Sequence, residues 1–372
     1  MKLKYLPLLF LCGCIKTHTV KFEKAEEITL TTLDNQYASV GSTECFNNQL
    51  LSLRHDLSID YFVVKNVRPM TDYKYDHTFK LNFALETANI TYYLPLPKDT
   101  IIYCDSEHKN FYLFNHLGNP IDVWSIFRNK PDSFHAFIPM ASKFYPIIYE
   151  NDTLYSRICP WVGSPDEFKM PFEYGFFKHD SSVNYFPLPV RYPDIYRSGK
   201  SYNNLSTEFV SRCQNDKGEF VYSFPISHEL FVYNKKELIK TVNCKSKYIE
   251  QFEVTPDDKT QDLQYTIKTY GTAPYYSKIY YDKYRHLYYR IAAHQMEHKK
   301  PDGTLNFSWR DKSWSIIILD NDLNVLSEYL IPPHEYVQDL VITPDGVLLQ
   351  KLLKPTDSRL FSKFELNKII TL

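Results

Sequence analysis

Apolar and polar residues alternate with a period of two along most of the chain, and no long segment has apolar residues at helical spacing. Three segments share one design, in which an apolar run, a short polar turn and a second apolar run follow each other: residues 110–124, 229–242 and 314–328. This pattern predicts antiparallel hairpins. Its recurrence indicates a degenerate internal repeat.

The repeat unit is best defined over residues 275–331, where we expect one four-stranded antiparallel sheet. Its strands are predicted at 278–282, 287–294, 314–319 and 324–329.

Alternation along the second of these strands assigns its side chains to two faces. One face carries Leu287, Tyr289 and Ile291, and the other carries Tyr288, Arg290 and Ala292. A sheet packed between two neighbours buries parts of both faces, which suits this apolar and aromatic strand. The tip of the last hairpin is expected at Asn321 and Asp322, because Asn and Asp tolerate the backbone geometry of tight turns.

Four-stranded units of about 40 to 50 residues are typical of β-propeller blades. Division of the chain at that size gives seven or eight blades, and long connections predicted at 165–184 and 251–273 lower the number. We therefore expect an all-β fold, a β-propeller of four-stranded antiparallel blades, with six blades favoured and seven as the alternative. A pair of β-sandwiches is the competing architecture.

The last unit is short of sequence. It begins at residues 339–349, where Pro344-Asp345-Gly346 predicts a tight turn, and little chain remains after Leu366. A strand from the amino-terminal region, within residues 19–32, is expected to complete it and close the ring, which removes a free sheet edge.

The amino terminus has the pattern of a secretory signal, since Lys2 and Lys4 precede an apolar run over residues 5–11. That run is shorter than the roughly 20 apolar residues that span a bilayer. Residues 11–14, Leu-Cys-Gly-Cys, resemble the lipobox of bacterial lipoproteins, which implies cleavage before Cys14 and lipidation of Cys14. The alternative is an ordinary secreted protein with two cysteines at its cleavage site.

We thus expect a signal peptide at 1–13, a lipidated tether at 14–18 and a single β-propeller domain at 19–372. More than one acyl chain gives stable anchoring. Ile15 follows the cysteine at the place where retention in the inner membrane usually requires Asp, so the expected address is the outer membrane.

Composition agrees with a β-rich exported protein. The chain of 372 residues has 31 Tyr and 25 Phe but only 10 Gly, a bias toward residues that fit half-buried pleated surfaces. A formal net charge of −1 gives no indication of nucleic-acid binding. No cysteines have CxxC spacing, and the scattered ones are expected to be small buried hydrophobes, with no pair assigned to a disulfide: Cys45, Cys104, Cys159, Cys213 and Cys244.

Six segments carry a resemblance to a known family: residues 98–103, 221–225, 246–249, 281–290, 316–328 and 342–349. Through them the chain resembles an uncharacterised family of lipoproteins from Bacteroidota-type bacteria, the domain of unknown function 4221 family, classed with the TolB-like six-bladed propellers. The resemblance implies six blades and an exported, anchored protein. It implies no particular activity.

One motif suggests a metal site. His294-Gln295-Met296-Glu297-His298 matches the H-x-x-E-H pattern of inverted zinc proteases, in which two His and a Glu share one helical face. Here the motif follows a predicted strand and precedes Pro301-Asp302-Gly303, so we interpret it as a loop. We expect no metal site there.

Charged residues inside apolar stretches are the candidates for ligand binding. Arg290 interrupts an apolar strand, and a charge there needs a partner or water. Asp282 lies in the turn before it, which predicts either a ligand-binding pair near the channel mouth or a turn with Asp282 capping backbone donors and Arg285 in solvent. Arg54 and Asp56 form a similar candidate pair between apolar stretches. Trp161 and Trp314 are expected in the core.

The sequence favours a membrane-anchored, non-enzymatic propeller that binds a ligand or a partner protein. The alternative is a hydrolase, metal-dependent or glycan-directed, with its site at the central channel. The chain has no Gly-rich phosphate loop and no Gly-x-Ser-x-Gly elbow. Expected partners are the bilayer, through Cys14, and a protein or glycan ligand; we expect a monomer, with no nucleic acid, cofactor or catalytic residue.

Overall fold

The structure is a computed structural model. The residues it describes are 18–30, 43–46, 49–53, 59–67, 70–80, 90–96, 100–105, 108–126, 138–142, 145–159, 168, 171, 173–180, 182–198, 200–202, 210–260, 262–306, 308–352 and 359–370.

Strands account for most of the regular structure. Those of the first half of the chain are β1 (His18–Leu30), β2 (Thr43–Phe46), β3 (Gln49–Leu53), β4 (Ile59–Val67), β5 (Met70–Phe79), β6 (Ile90–Leu96), β7 (Thr100–Asp105), β8 (Asn110–Phe114), β9 (Pro120–Ser125), β10 (Ile138–Met140), β11 (Ile148–Glu150), β12 (Thr153–Cys159), β13 (Glu173–His179) and β14 (Ser182–Pro187).

The second half continues in the same way. Its strands are β15 (Ser201–Tyr202), β16 (Ser211–Gln214), β17 (Phe220–Ser223), β18 (Glu229–Tyr233), β19 (Leu238–Asn243), β20 (Val254–Thr255), β21 (Tyr275–Asp282), β22 (Leu287–Ala293), β23 (Trp314–Leu319), β24 (Val325–Ile331), β25 (Val341–Thr343), β26 (Gly346–Gln350) and β27 (Arg359–Ile370). Its helices are α1 (Leu263–Thr272) and 3-10 turns at Asp194–Arg197, Asp257–Lys259 and Trp309–Asp311.

Within the described residues these strands form six antiparallel sheets of four or five strands and one two-stranded pair. Each larger sheet follows chain order: β2–β5, β6–β9, β10–β14, β16–β19, β21–β24, and β25–β27 completed by β1. In the third sheet β10 and β11 both pair with β12. The predicted all-β class with repeated four-stranded antiparallel units is confirmed.

The unit predicted over residues 275–331 is confirmed as the β21–β24 sheet. Leu287–Ala293 pairs with Trp314–Leu319, and Trp314–Leu319 pairs in turn with Val325–Ile331. No helix lies between residues 277 and 293, all of which the structure describes. The hairpins predicted at 110–124 and 229–242 are likewise present as β8–β9 and β18–β19.

The predicted alternation along β22 is confirmed. Leu287, Tyr289 and Ile291 pack in a core shared with β25–β27 and β1, whereas Tyr288 and Ala292 pack in a core shared with β16–β19. The burial of both faces explains why this strand is apolar at nearly every position.

Three tight turns repeat one geometry, and the tip of the 314–328 hairpin lies at Asn321 and Asp322, as predicted. The side chains of Asn115, Asn215 and Asp320 each accept hydrogen bonds from backbone N–H groups two and four residues later, at 2.8–3.0 Å. The residue after the tip has positive φ in each turn: Gly118 (75°), Gly218 (74°) and Leu323 (71°). In the 314–328 hairpin the left-handed residue is thus Leu323, which follows the two tip residues.

The strand expected within residues 19–32 is β1, and its pairing with the carboxyl-terminal strand is confirmed. His18 lies opposite Ile370, and Leu30 lies opposite Arg359. Phe22 of β1 stacks on Phe364 of β27 with ring centroids 4.6 Å apart. The last sheet is therefore built from both ends of the chain.

Successive sheets lie side by side. Within the described residues β7 contacts β10, β16 and β17 contact β21, and β24 contacts β1. The last sheet also contacts the first, because β25 lies beside β2 and β1 beside β5.

Of the two predicted long connections, one is wrong and one is confirmed. The prediction for 165–184 is wrong, because Glu173–His179 and Ser182–Pro187 are paired strands. The 251–273 connection holds the helix α1, which begins where the Asp262 carboxylate accepts the N–H of Tyr265 at 3.0 Å. Leu263 and Ile267 on α1 are exposed, so the core gives this helix no apolar stripe to detect.

Among the described residues no helix is long and apolar enough to cross a membrane. Cys104, Cys213 and Cys244 are buried, as expected of small hydrophobes. The side chains of Cys45 and Cys159 lie outside the described residues.

Candidate functional site

A cavity of about 640 Å³ opens beside the β16–β19 sheet, and we call it the side cavity. Its size falls within the range of about 300–1,000 Å³ that is usual for ligand sites. Its lining comes from four parts of the chain. These are residues 191–195 with Arg197; residues 226–229; the β18–β19 hairpin, through Phe231, Tyr233, Leu238 and Asn243; and Phe252.

The alternation of β18 sends every second side chain to the side cavity. Glu229, Phe231 and Tyr233 line it, while Leu230 and Val232 pack on the other face against the β21–β24 sheet. Phe231 is held edge-on against Phe224, with ring centroids 5.4 Å apart. The aromatic wall is therefore fixed by packing on the strand behind it.

His228 forms part of the cavity floor in its neutral form. Burial, with smaller contributions from Lys245 and Arg290, lowers the pKa of His228 to about 4. Its Nδ1 lies 2.8 Å from the hydroxyl oxygen of Tyr276, which accepts the N–H of Ser246 at 2.9 Å. The Tyr276 hydroxyl proton is thus available for donation to His228, whose ring packs on Phe252 at 4.8 Å.

The charges around the side cavity balance. Arg197 pairs with Asp194 in the 3-10 turn, and Glu229 lies on the opposite wall. Arg191 donates to the carbonyl oxygens of Val190 (3.1 Å) and Leu188 (3.5 Å). Two arginines, two carboxylates and a neutral histidine give the cavity no net charge.

Arg290, predicted as a ligand-binding residue, lies fully buried between two sheets. Its guanidinium donates to Ser223 Oγ at 2.9 Å and to backbone carbonyl oxygens of four residues: Ser227 (2.6 Å), His228 (2.8 Å), Cys244 (3.1 Å) and Glu229 (3.4 Å). The Tyr276 ring covers it, with the ring centroid 3.5 Å from the guanidinium carbon. Burial lowers the pKa of Arg290. A ligand would have to displace these bonds, so this geometry gives Arg290 a structural role beneath the cavity floor.

Asp282, the second predicted residue, is also fully buried. Its carboxylate accepts the N–H groups of Tyr284 (3.0 Å) and Arg285 (3.1 Å), which agrees with the capping interpretation, and also the Tyr289 hydroxyl (2.8 Å). The expectation that Arg285 lies in solvent is wrong. Arg285 binds Asp282 at 2.6 Å and reaches the carbonyl oxygens of Thr343 (2.9 Å) and Pro344 (3.0 Å) in the next sheet.

The structure does not describe most of the other residues singled out in the sequence. Cys14, Arg54, Asp56 and Trp161 fall outside the described residues. Trp314 is buried in the core, as expected.

The two histidines of the H-x-x-E-H motif follow β22 in a loop, as predicted, and have separate partners. His294 Nε2 lies 2.9 Å from Ser315 Oγ, and its ring stacks on Tyr248. His298 Nδ1 lies 2.8 Å from Thr272 Oγ1. Among the described residues no group of three or more His, Cys, Asp or Glu could hold a metal ion.

A buried ion pair and a buried lysine were not predicted from the sequence. Arg212 forms an ion pair with Glu173, and the Tyr145 hydroxyl donates to the same carboxylate at 2.7 Å. Lys312 donates to the Ala273 carbonyl oxygen at the end of α1, and burial lowers its pKa to about 7. Both groups connect neighbouring elements, and neither lines the side cavity.

The side cavity itself was also missed. Its lining comes from separate segments whose only common sequence signal is a surplus of aromatic residues. The Arg191-Tyr192-Pro193-Asp194 segment lies close to the wrongly predicted 165–184 connection, so no sequence pattern placed it against β18.

Comparisons with known proteins agree with this fold. No curated protein matches the chain. A crystal structure of a DUF4221 family member from Bacteroides vulgatus superposes with a TM-score of 0.77 at 18% identity, covering 95% of this chain and 100% of that one. A Bacteroides fragilis protein, named as a predicted exported protein, superposes with a TM-score of 0.54 at 10% identity, covering 94% and 95%.

The model of the DUF4221 family, a domain of unknown function, matches residues 178–330. That stretch contains the whole lining of the side cavity. The resemblance seen in the sequence is thereby confirmed: residues 178–330 match the DUF4221 family, within a chain that has the fold of a DUF4221 member.

Proposed function

We propose that this chain is a lipid-anchored, extracytoplasmic β-propeller that binds an uncharged glycan in the side cavity. The cavity carries this proposal, because it combines ligand-sized volume with rigid aromatic walls and balanced charge.

Six sheets of four or five strands support a six-bladed ring. Successive sheets are in contact between β7 and β10, between β16 or β17 and β21, and between β24 and β1. The last sheet, completed by β1, lies beside the first through β25 and β2. A rigid ring suits ligand binding, since its connections can vary while the sheets stay fixed.

The amino-terminal sequence supports the anchor. The basic residues Lys2 and Lys4, the short apolar run and the lipobox end at Cys14, only four residues before β1 begins. Export is also part of the name of the structurally similar Bacteroides fragilis protein.

The anchor is tested by Cys14→Ala, with Cys12→Ala as the matched control two residues away. Metabolic labelling with a tagged fatty acid should mark the wild type and the Cys12 variant but not the Cys14 variant, because the Cys14 thiol is the proposed attachment point. Equal labelling of all three proteins would disprove the lipid anchor.

Glycan binding follows from the chemistry of the cavity walls. Sugars present apolar C–H faces that pack on aromatic rings, here Phe231 and Phe252, and hydroxyl groups that need donors and acceptors at fixed angles. The planar side chains of Arg191, Asp194 and Asn243 supply both. The absence of net charge in the lining favours a neutral saccharide over a charged ligand.

Neighbouring residues of β19 provide the test. Leu238 and Ile239 are equally exposed, at 45% each, but only Leu238 lines the side cavity. We expect the full-length protein in detergent to bind neutral oligosaccharides on a glycan array. Leu238→Lys, which adds a charge to the neutral cavity, should weaken calorimetric affinity by at least about tenfold, or 1.4 kcal/mol, while Ile239→Lys should not.

Two results would contradict the glycan proposal. One is the lack of any saccharide ligand on the array, together with binding of an extended peptide that Leu238→Lys abolishes. The other is equal affinity of both variants for the saccharide.

A further inference from the structure

The connections distinguish two ends of the sheets. At one end, which we call the turn end, tight turns join first to second and third to fourth strands, at 115–119, 215–219, 234–237, 283–286, 320–324 and 344–345. At the other, the loop end, lie the longer connections, including 244–274 with α1 and 294–313.

The register of the last sheet places the start of β1 at the turn end. Val347 of β26 pairs with Phe364, and Gln350 pairs with Phe361, so later residues of β27 run toward and beyond the 344–345 turn. β1 pairs with β27 as far as His18 opposite Ile370. The last four pairs therefore extend past β26 as a two-stranded ribbon, about 14 Å long at 3.4 Å per residue.

Cys14 precedes His18 by four residues, which span at most about 14 Å of extended chain. From this, and resting on the proposed lipid anchor, we propose that the turn end of the propeller faces the polar headgroup surface of the bilayer. The β1–β27 ribbon is the spacer, and the loop end faces away from the membrane.

The composition of the turn end fits a polar headgroup layer. Many of its exposed residues are charged, among them Asp216, Lys217, Lys236 and Asp322, while Leu117 and Pro344 are exposed apolar residues there. Charged residues do not enter the hydrocarbon core. The exposed apolar residues of α1, Leu263 and Ile267, lie at the loop end, where a protein held this way presents them to the surroundings.

Energy transfer to the membrane tests this orientation. A fluorescent unnatural amino acid is placed at Lys236, in the β18–β19 turn, or at Asp258, in the connection after the same sheet; both residues are exposed. The full-length lipidated protein is reconstituted in phosphatidylethanolamine–phosphatidylglycerol vesicles containing a headgroup-labelled acceptor lipid. Transfer from position 236 should exceed transfer from position 258.

Equal or reversed transfer, in protein shown to carry the fatty acid, would overturn the orientation and leave the anchor intact. Protein without the fatty acid would disprove the anchor, and with it the orientation. Insertion of a long Gly/Ser linker after Thr17 should abolish the difference between the two positions, because a flexible chain of that length no longer restricts the ribbon. A difference that survives the linker would overturn the short tether as its cause.

Discussion

Leu323 allows a sharp test of the turn geometry. It has a φ of 71° in the β23–β24 turn, where the equivalent turns have Gly118 and Gly218, yet its side chain is only 1% exposed and packs between two sheets. A left-handed conformation costs a residue with a Cβ about 1–2 kcal/mol. The buried leucine side chain stabilises the fold by about 2–5 kcal/mol relative to alanine. Burial therefore outweighs strain, which explains a leucine at a glycine position.

These opposing effects predict an unusual order of stability. Leu323→Ala loses the side chain and keeps the strain, whereas Leu323→Gly loses the same side chain and relieves the strain. We expect the glycine variant to be more stable than the alanine variant by about 1 kcal/mol. Urea unfolding of the full-length protein, followed by tryptophan fluorescence, measures the order.

Leu319 is the matched control, since it lies in the same sheet and core but in an ordinary strand conformation. There glycine should be less stable than alanine, by about 0.5–1 kcal/mol. The same order at position 323 as at position 319 would refute the proposed balance of strain and burial.

Further predictions concern the buried arginine and pH. Arg290→Lys should lower the free energy of unfolding by more than about 3 kcal/mol, because one ammonium cannot satisfy the carbonyl oxygens that Arg290 binds. In the same unfolding experiment Arg197→Lys, at an exposed arginine, should change the free energy of unfolding by less than about 0.5 kcal/mol. Burial lowers the pKa of His294 to about 4 from 6.5, so the unfolded chain binds the proton more tightly. The contribution of His294 to stability should be complete above pH 6.5 and decline as the pH falls to about 4. The midpoint temperature of thermal unfolding should therefore fall less with decreasing pH in His294→Gln than in the wild type. The same dependence of the midpoint on pH in both proteins would contradict this.

The strands could be predicted from sequence because the alternation of apolar and polar residues along a strand follows directly from which side chains are buried. The β21–β24 sheet is buried on both faces, and its pattern of apolar residues gave strand positions correct to within a few residues. The prediction failed at Glu173–His179 and Ser182–Pro187. No residue of β14 is fully buried, and only Val183 and Tyr185 pack partly against a core. It also missed α1, whose exposed leucine and isoleucine reflect a helix that lies on the surface.

Charge in an apolar strand was a correct signal of a special environment, which for Arg290 is built from protein partners. Arg290 needed partners, and the backbone of the neighbouring sheet supplied them. Arg285 reaches the next sheet in the same way, and Arg212 pairs with Glu173 across another sheet boundary. Sequence alone does not show whether a buried guanidinium meets a ligand or a carbonyl group, because both satisfy the same donors.

The side cavity depends on a connection more than on a sheet. Glu229, Phe231 and Tyr233 occupy one face of β18 in any case, since alternation places them there, but they bound a cavity only because residues 191–197 form the opposite wall. That wall is a short 3-10 turn held by the buried Tyr192 and Tyr196, which pack on Phe224. A change in the exposed residues of this turn would alter the cavity without disturbing any strand pairing. Within the proposed propeller, ligand specificity would therefore reside mainly in residues 191–197, while β18 provides a constant aromatic wall.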